Sequence, residues 1–336
     1  MKGSFSSGPG AVLSSPETEA RGKCMDRNYS LRPAVGEDMP AAYAVFRRSI
    51  YDYLFRIGLV DEAMAKDPPI EAAWQRQSSW IEHLWRTSAE NWVAEDPAGR
   101  LIGWAMSIER DGHLELTHFF VEPGVQSKGL GRALIVKAFP PDRGDHRAIN
   151  ATQDPRALSL YFRSGVNPVT TSVDVVLQPG TFEADTDLTF ERLEASERAV
   201  SAIVALEKAV LGFSRDTDIR FLLAGRAAWL ASRDGTPVAY AFGVQPNPPG
   251  VTDFSPACGP MAALDPADMP QLIDHVMRHA GDIPDFCITV PFMNRDALVH
   301  LMKRGGKIDP FYLTILSDRP TLNLDRYIHT SPAFIL

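Results

Sequence analysis

Four short stretches in the first half of this 336-residue chain return in the second half in the same order. Leu31-Arg-Pro-Ala-Val-Gly-Glu-Asp is answered by Phe190-Glu-Arg-Leu-Glu-Ala-Ser-Glu, and Gly99-Arg-Leu-Ile-Gly-Trp-Ala-Met by Gly235-Thr-Pro-Val-Ala-Tyr-Ala-Phe. Val121-Glu-Pro123 matches Leu264-Asp-Pro266, and Asp154-Pro-Arg-Ala157 with Gly165 matches Asn294-Arg-Asp-Ala297 with Gly305. The offset stays between 136 and 159 residues, so the order is kept and the drift falls in loops and insertions. Self-similarity on this scale constrains the chain to two copies of one strand-and-helix unit. The length suits two domains, and 45% apolar residues are enough for two cores.

Within the first copy the pattern is legible element by element. Residues 1–28, rich in Ser, Gly, Pro and charge, show no periodicity and read as a disordered arm. Tyr29 to Pro33 reads as a strand. A helix follows from about Glu37, with Ala42, Val45, Phe46, Ile50 and Tyr53 on its apolar face, and residues 69–88 form a second helical stretch. Strands at Asn91 to Ala94 and Leu101 to Glu109 flank the turn Asp96-Pro97-Ala98-Gly99. Leu114 to Val121 has the content of a buried strand, whereas Leu130, Leu134, Ile135 and Ala138 recur at helical spacing until Pro140 stops them. The glycine-rich turn between strand and helix therefore sits at a helix N-terminus, where unpaired backbone N–H groups and the macrodipole favour an anion such as a pyrophosphate. Gly129 and Gly131 allow close backbone approach, and Lys128 and Arg132 add positive charge.

The spacing Gln126-x-x-Gly129-x-Gly131 after Val121-x-Pro123 resembles the acetyl-coenzyme A signature of the GNAT superfamily of N-acetyltransferases. A second block, Asp154-Pro-Arg-Ala-Leu-Ser-Leu-Tyr-Phe-Arg-Ser-Gly165, is similar to that family's later motif, with Asp154 where Asn is usual. The resemblance implies an α+β protein of two tandem GNAT-like folds, each a mixed, mostly antiparallel sheet flanked by helices. The boundaries it suggests are a catalytic, acetyl-CoA-binding domain at 29–178, a linker at 179–187, a degenerate copy at 188–320 and a tail at 321–336. It implies coenzyme contacts from Phe119, Phe120, Val121, Gln126, Ser127, Lys128, Gly129, Leu130, Gly131, Arg132, Asn150, Asp154 and Tyr161. Main-chain N–H groups around Phe119 to Val121 would stabilise the oxyanion, provided the strand parts from its neighbour.

Three side chains are candidates for proton transfer. Glu115 stands on the strand leading into the loop, where several GNAT enzymes carry a catalytic glutamate; the alternative is a structural carboxylate. His118 is the other candidate base, or else a satisfied core histidine. Tyr161 is placed by the motif as the acid that protonates the departing thiolate, the alternative being a core aromatic.

The second copy lacks this chemistry. After Pro266 it reads Ala-Asp-Met-Pro-Gln-Leu-Ile-Asp with no glycine pair, Asp268 would repel a pyrophosphate, and Leu301 stands where the first copy has Tyr161. The C-terminal half therefore reads as a structural or substrate-shaping domain. Cys24, Cys258 and Cys287 have no metal-type spacing, which sets the expectation of no metal and of a reducing, cytoplasmic setting. A net charge of −8 argues against nucleic acid and mildly favours a cationic acceptor. No apolar run is long enough to span a bilayer, so no membrane association is expected of this monomer or homodimer. Tyr51, Tyr53, Phe55, Trp74, Trp80 and Trp85, with Asp52 and Glu82, lie in the region that shapes the acceptor pocket in the superfamily; core packing is the competing role for most of them. The expected function is acetyl transfer from acetyl-CoA to a primary amine of a small molecule, by direct attack in a ternary complex. A peptide or protein N-acetyltransferase is the alternative within enzymes, and a non-catalytic acyl-CoA-binding sensor the alternative from another class.

Overall fold

A computed structural model describes residues 28–125, 129–180, 186–249, 255–319 and 322–330. The first half contains β1 (Ser30–Pro33), α1 (Met39–Arg56), α2 (Glu62–Lys66), α3 (Ile70–Arg86), β2 (Ser88–Glu95), β3 (Leu101–Arg110) and β4 (His113–Val121). It continues through α4 (Leu130–Ala138), β5 (His146–Thr152), α5 (Pro155–Arg163) and β6 (Asn167–Leu177). The second half begins with β7 (Thr189–Leu193), α6 (Glu197–Leu211), α7 (Asp216–Gly225), β8 (Ala228–Arg233), β9 (Thr236–Phe242), β10 (Ala257–Cys258) and β11 (Met261–Ala263). It ends with α8 (Met269–Arg278), β12 (Phe286–Pro291), α9 (Arg295–Lys303), β13 (Lys307–Ser317) and β14 (Tyr327–Ile328).

Local chemistry accounts for where these elements start. The helix expected from about Glu37 begins at Met39, because Gly36–Asp38 forms a 3-10 turn in which Asp38 accepts the Val35 N–H at 2.8 Å and binds Arg32. The short α2, which the apolar spacing does not announce, is capped by Asp61 accepting from the Met64 N–H at 2.8 Å. Asp154 and Asn294 cap α5 and α9 at equivalent places in the two copies, accepting from Arg156 and Ala297 respectively.

Among the described residues the strands form two sheets flanked by helices, one mixed but largely antiparallel and one wholly antiparallel. Nine run in the order β1-β2-β3-β4-β5-β13-β6-β12-β10 and five in the order β14-β11-β9-β8-β7. The sheets do not divide where the repeat does. Strand β13, from the second copy, lies between β5 and β6 of the first and is antiparallel to both. Its residues explain the position: Ile315 enters the core beneath α1 and α3, and the adjacent Leu316 enters the core beneath α4 and α5. On β6, Val173, Val175 and Leu177 instead join the second half's core with Phe286, Ile288 and Val290 of β12. Residues 321–336, read as a tail, include β14, which is antiparallel to β11 and fully buried at Tyr327 and Ile328. Of the linker at 179–187, residues 181–185 lie outside those described.

Candidate active site

The site is opened by one irregularity in β4. Met106 faces His118 but Ser107 faces Leu116, so Thr117 is an extra residue, a β-bulge. Parallel pairing of β4 with β5 runs from His113/His146 only to Leu116/Ile149. Beyond the bulge β4 stays on β3 while β5 pairs with β13, and a gap opens between them. The Glu122 N–H bonds to Ile102 O at 2.9 Å, which makes this opposed pair hydrogen-bonded. Alternation along the antiparallel ladder then turns the Phe119 N–H away from β3 and toward the gap. Val121 O, facing the same way, accepts from Ser49 Oγ of α1 at 2.9 Å, and Arg48 binds Glu122 bidentately at 2.7 and 2.9 Å. Thus α1 fixes the end of the parted strand.

A cavity of about 730 Å³ passes through this gap. On the α4 and α5 side it is lined by Leu116, Phe119, Val121, Gly129, Gly131, Arg132, Asn150, Asp154 and Tyr161, joined by Phe120 from the other face of β4. Gly129 is the left-handed residue, φ 81°, that turns the chain into α4. Gly131 leaves little space: a Cβ there would lie 3.2 Å from Leu160 and 3.3 Å from Phe119. A backbone kept clear of side chains at a helix N-terminus suits a pyrophosphate group. Leu130 is buried under α4 and does not line the cavity. Gln126, Ser127 and Lys128 lie outside the described residues.

Tyr161 is 5% exposed and packs edge-on against Phe119, their rings 5.7 Å apart. Burial, with Asp154 adding to it, pushes its phenol above the ordinary tyrosine range, so the group keeps its proton. Asp154 goes the other way. Burial would raise it, but hydrogen bonds from Arg156 and Arg56 hold it down at about 2. It therefore serves as a fixed negative cap that ties α5 to α1.

The two candidate bases are not at the cavity. Glu115 and His113 project to the opposite face from Leu114 and Leu116, and His113 stacks on Phe213 of the second half at 3.9 Å. Glu115 is 2% exposed there, within electrostatic reach of Tyr327. The bulge explains the displacement: it reverses the alternation of β4, so even-numbered residues such as Leu114 and Leu116 face the α4 side before Thr117 and odd-numbered ones such as Phe119 and Val121 after it, which leaves Glu115 on the other face. His118 is buried as well, stacked on Trp104 at 4.4 Å with Nδ1 3.1 Å from Thr117 Oγ1, and burial lowers its pKa to about 3. It is a neutral core histidine. Neither Glu115 nor His118 is among the side chains that line the cavity.

The far wall of the cavity was not anticipated. It is made by Arg47 and Tyr53 of α1, Arg76 and Gln77 of α3, Asp174 of β6, Cys287 and Thr289 of β12, and Phe311 and Leu313 of β13. Of these only Tyr53 figured in the sequence reading as a candidate for the acceptor pocket, Cys287 having been weighed only as a metal ligand. A signal for Asp174 was present, since it is the one carboxylate within the apolar alternation Ser172-Val-Asp-Val-Val-Leu177.

In the second copy the corresponding place is closed. Asp268 is buried and bound to Arg233 at 2.7 Å, α8 begins at once with Met269-Pro270, and Leu301 is core. Among the described residues no group of three or more His, Cys, Asp or Glu side chains is placed to hold a metal ion, and no helix is long and apolar enough to cross a membrane.

Comparison with known proteins agrees with this geometry. Residues 59–165 match the acetyltransferase (GNAT) family. None of the curated protein sequences matches the chain. A Pyrococcus horikoshii protein assigned to the acetyltransferases superposes with a TM-score of 0.65 at 13% identity, over 92% of this chain and 96% of its own. A GCN5-related N-acetyltransferase from Sphaerobacter thermophilus gives 0.57 at 16% identity, over 89% and 99%. A tandem GNAT protein from the clavulanic acid biosynthesis pathway gives 0.53 at 14% identity, over 87% and 99%. At these identities the likeness is one of fold, and it extends through both halves. Residues 59–165 thus carry the match to the GNAT acetyltransferase family, and the chain as a whole has the tandem GNAT fold.

Proposed function

We propose that this protein transfers an acetyl group from acetyl-CoA to the primary amine of a small molecule, with the coenzyme held by the first half alone. The observation that carries this reading is the parting of β4 from β5 at the Thr117 bulge. It aims a main-chain N–H into a cavity that has a glycine-cleared helix start at one end and a protonated tyrosine in its wall. When bound, acetyl-CoA supplies the activated acetyl thioester. The Phe119 N–H stabilises negative charge on the carbonyl oxygen, and the Tyr161 phenol donates a proton to the sulfur that leaves. Gly129, Gly131 and Arg132 hold the pyrophosphate, together with the start of α4.

A small acceptor is favoured because the cavity is lined by both halves, with residues of β12 and β13 forming its far wall. The test is thiol release from acetyl-CoA in the presence of a panel of small primary amines and of lysine-containing peptides. Release with small amines supports the reading. Release only with peptides would transfer it to the peptide class, and coenzyme binding without release for any amine would make the protein a sensor.

A further inference from the structure

The far end of the cavity is built where strands of the two halves meet. On β6, Val173, Val175 and Leu177 join the second half's core, and Asp174 projects from the other face into the cavity. Thr289, directly opposite on β12, donates from Oγ1 to Asp174 Oδ1 at 2.5 Å, and the Cys287 thiol also hydrogen-bonds to it. On its other side Asp174 meets an irregularity in β13: Val175 faces Ile308 and Val173 faces Tyr312, so residues 309–311 bulge out opposite Asp174. Within this bulge Asp309 accepts the Phe311 N–H at 2.8 Å, and Phe311 lines the cavity beside Tyr53 of α1, their rings 6.4 Å apart.

A carboxylate withdrawn from water is destabilised unless it meets a complementary charge. Among the described residues Asp174 makes no ion pair: a hydroxyl and a thiol bond to it, Arg76 acts on it only at longer range, and Asp309 adds repulsion. Asp154, the other carboxylate among the described lining residues, is by contrast already bound to Arg56 and Arg156. A carboxylate beside an aromatic ring suits an organic cation.

The sheet decides which cation this can be. Thr152 of β5, Leu313 of β13 and Ser172 of β6 lie side by side, so two strand spacings, about 10 Å, separate β5 from β6. The gap into which the Phe119 N–H points lies beyond β5, on its β4 side. An amine attacking there would have to be within about 3 Å of a carboxylate to be held or deprotonated by it directly, and Asp174 is too distant. We propose that Asp174, with Thr289 and Phe311, holds a second cationic group of the acceptor, so that the acceptor is a small molecule with two positive nitrogen centres on the order of 10 Å apart. One is acetylated at the β4 gap and the other is anchored where the two halves join. This rests on the acetyl-transfer reading above.

The test compares, on the full-length protein, linear diamines with the amino alcohols of the same length, which keep a polar end and lose its charge. Diaminoheptane should exceed aminoheptanol in kcat/KM by about tenfold or more, whereas diaminoethane, too short to reach Asp174 from the gap, should match aminoethanol within about twofold. Asp174→Asn should raise the KM for diaminoheptane by about tenfold, leave that for aminoheptanol within about twofold, and not change coenzyme affinity measured by calorimetry. The groups facing Asp174 are Thr289 and Cys287 of β12, Asp309 of β13 and Arg76 of α3, and burial raises its carboxyl above the ordinary range. The advantage of the long diamine should therefore fade on the acid side as Asp174 takes up a proton, at a pH above that of an ordinary aspartate. Equal kcat/KM for diaminoheptane and aminoheptanol, an advantage as large for diaminoethane over aminoethanol, or an advantage that survives Asp174→Asn overturns the proposal. Diaminoheptane titrated into protein saturated with coenzyme A should also bind about tenfold tighter than aminoheptanol. That readout stands even if Asp174→Asn does not fold or no amine turns over: absence of turnover refutes the acetyl-transfer reading, and equal binding overturns the second cation site.

Discussion

Tyr161 has its ring against Phe119, the residue whose N–H is aimed into the gap, so one aromatic contact couples the proposed proton donor to the strand that would stabilise the oxyanion. Replacing it by Phe keeps that contact and removes only the hydroxyl. Tyr161→Phe should lower kcat by about tenfold, roughly 1.4 kcal/mol of barrier since water can substitute as donor, with coenzyme affinity nearly retained. Unchanged kcat would leave the residue as packing. Gly131→Glu should abolish coenzyme binding in a calorimetric titration, because its Cβ already meets Leu160 and Phe119 and its charge would lie at the pyrophosphate. An unaltered circular dichroism spectrum would show that the loss is local; retained affinity would remove α4 from the site. Both residues were legible in the sequence, for each is tied to a short local motif. Asp174 and Thr289 were not, since their meeting depends on a pairing across 115 residues of chain. That Glu115 stands off the cavity wall was not legible either, because a bulge reverses strand phase without leaving a mark in the pattern of apolar residues.

At the scale of elements, α7 and α3 are joined by a buried network. Asp218 accepts from His83 at 2.6 Å and from Arg110 at 2.8 and 3.0 Å, which locks a helix of the second half onto a helix and a strand of the first. Burial would raise this carboxyl, but the hydrogen bonds from His83 and Arg110 bring it from 3.8 down to about 2. A folded-state value below the unfolded one means that the stabilisation is complete above about pH 4 and is lost as pH falls toward 2. Asp218→Asn should therefore lower stability at neutral pH by about 3 kcal/mol, since it leaves two buried donors without their charge partner. The urea midpoints of mutant and wild type should converge as the pH is lowered from 6 to 3. A constant gap would show that Asp218 acts through packing. The helices and strands themselves were largely readable from apolar spacing. Their joints were not, because an ion pair between distant elements has no local signature.

For the whole molecule, the decisive feature is that the two copies share a sheet and a core. Ile203, Leu206 and Ile219 of the second half pack in one cluster with Phe46, Trp80 and Trp104 of the first. A chain ending at residue 187 lacks that cover and lacks β13, so it should be insoluble or bind hydrophobic dye strongly rather than survive as a small acetyltransferase. A soluble, cooperatively melting fragment with full activity would refute this. The repeat in the sequence showed that there are two copies, yet it counted them as successive units, because self-similarity records ancestry and not which strand pairs with which. The place of β13 also has a consequence in time. Strands β5 and β6 emerge from the ribosome about 140 residues before their common neighbour. Until then each offers bare N–H and C=O groups to any passing strand, so the nascent protein must be shielded through about half of its own synthesis, and the half that is made first matures last.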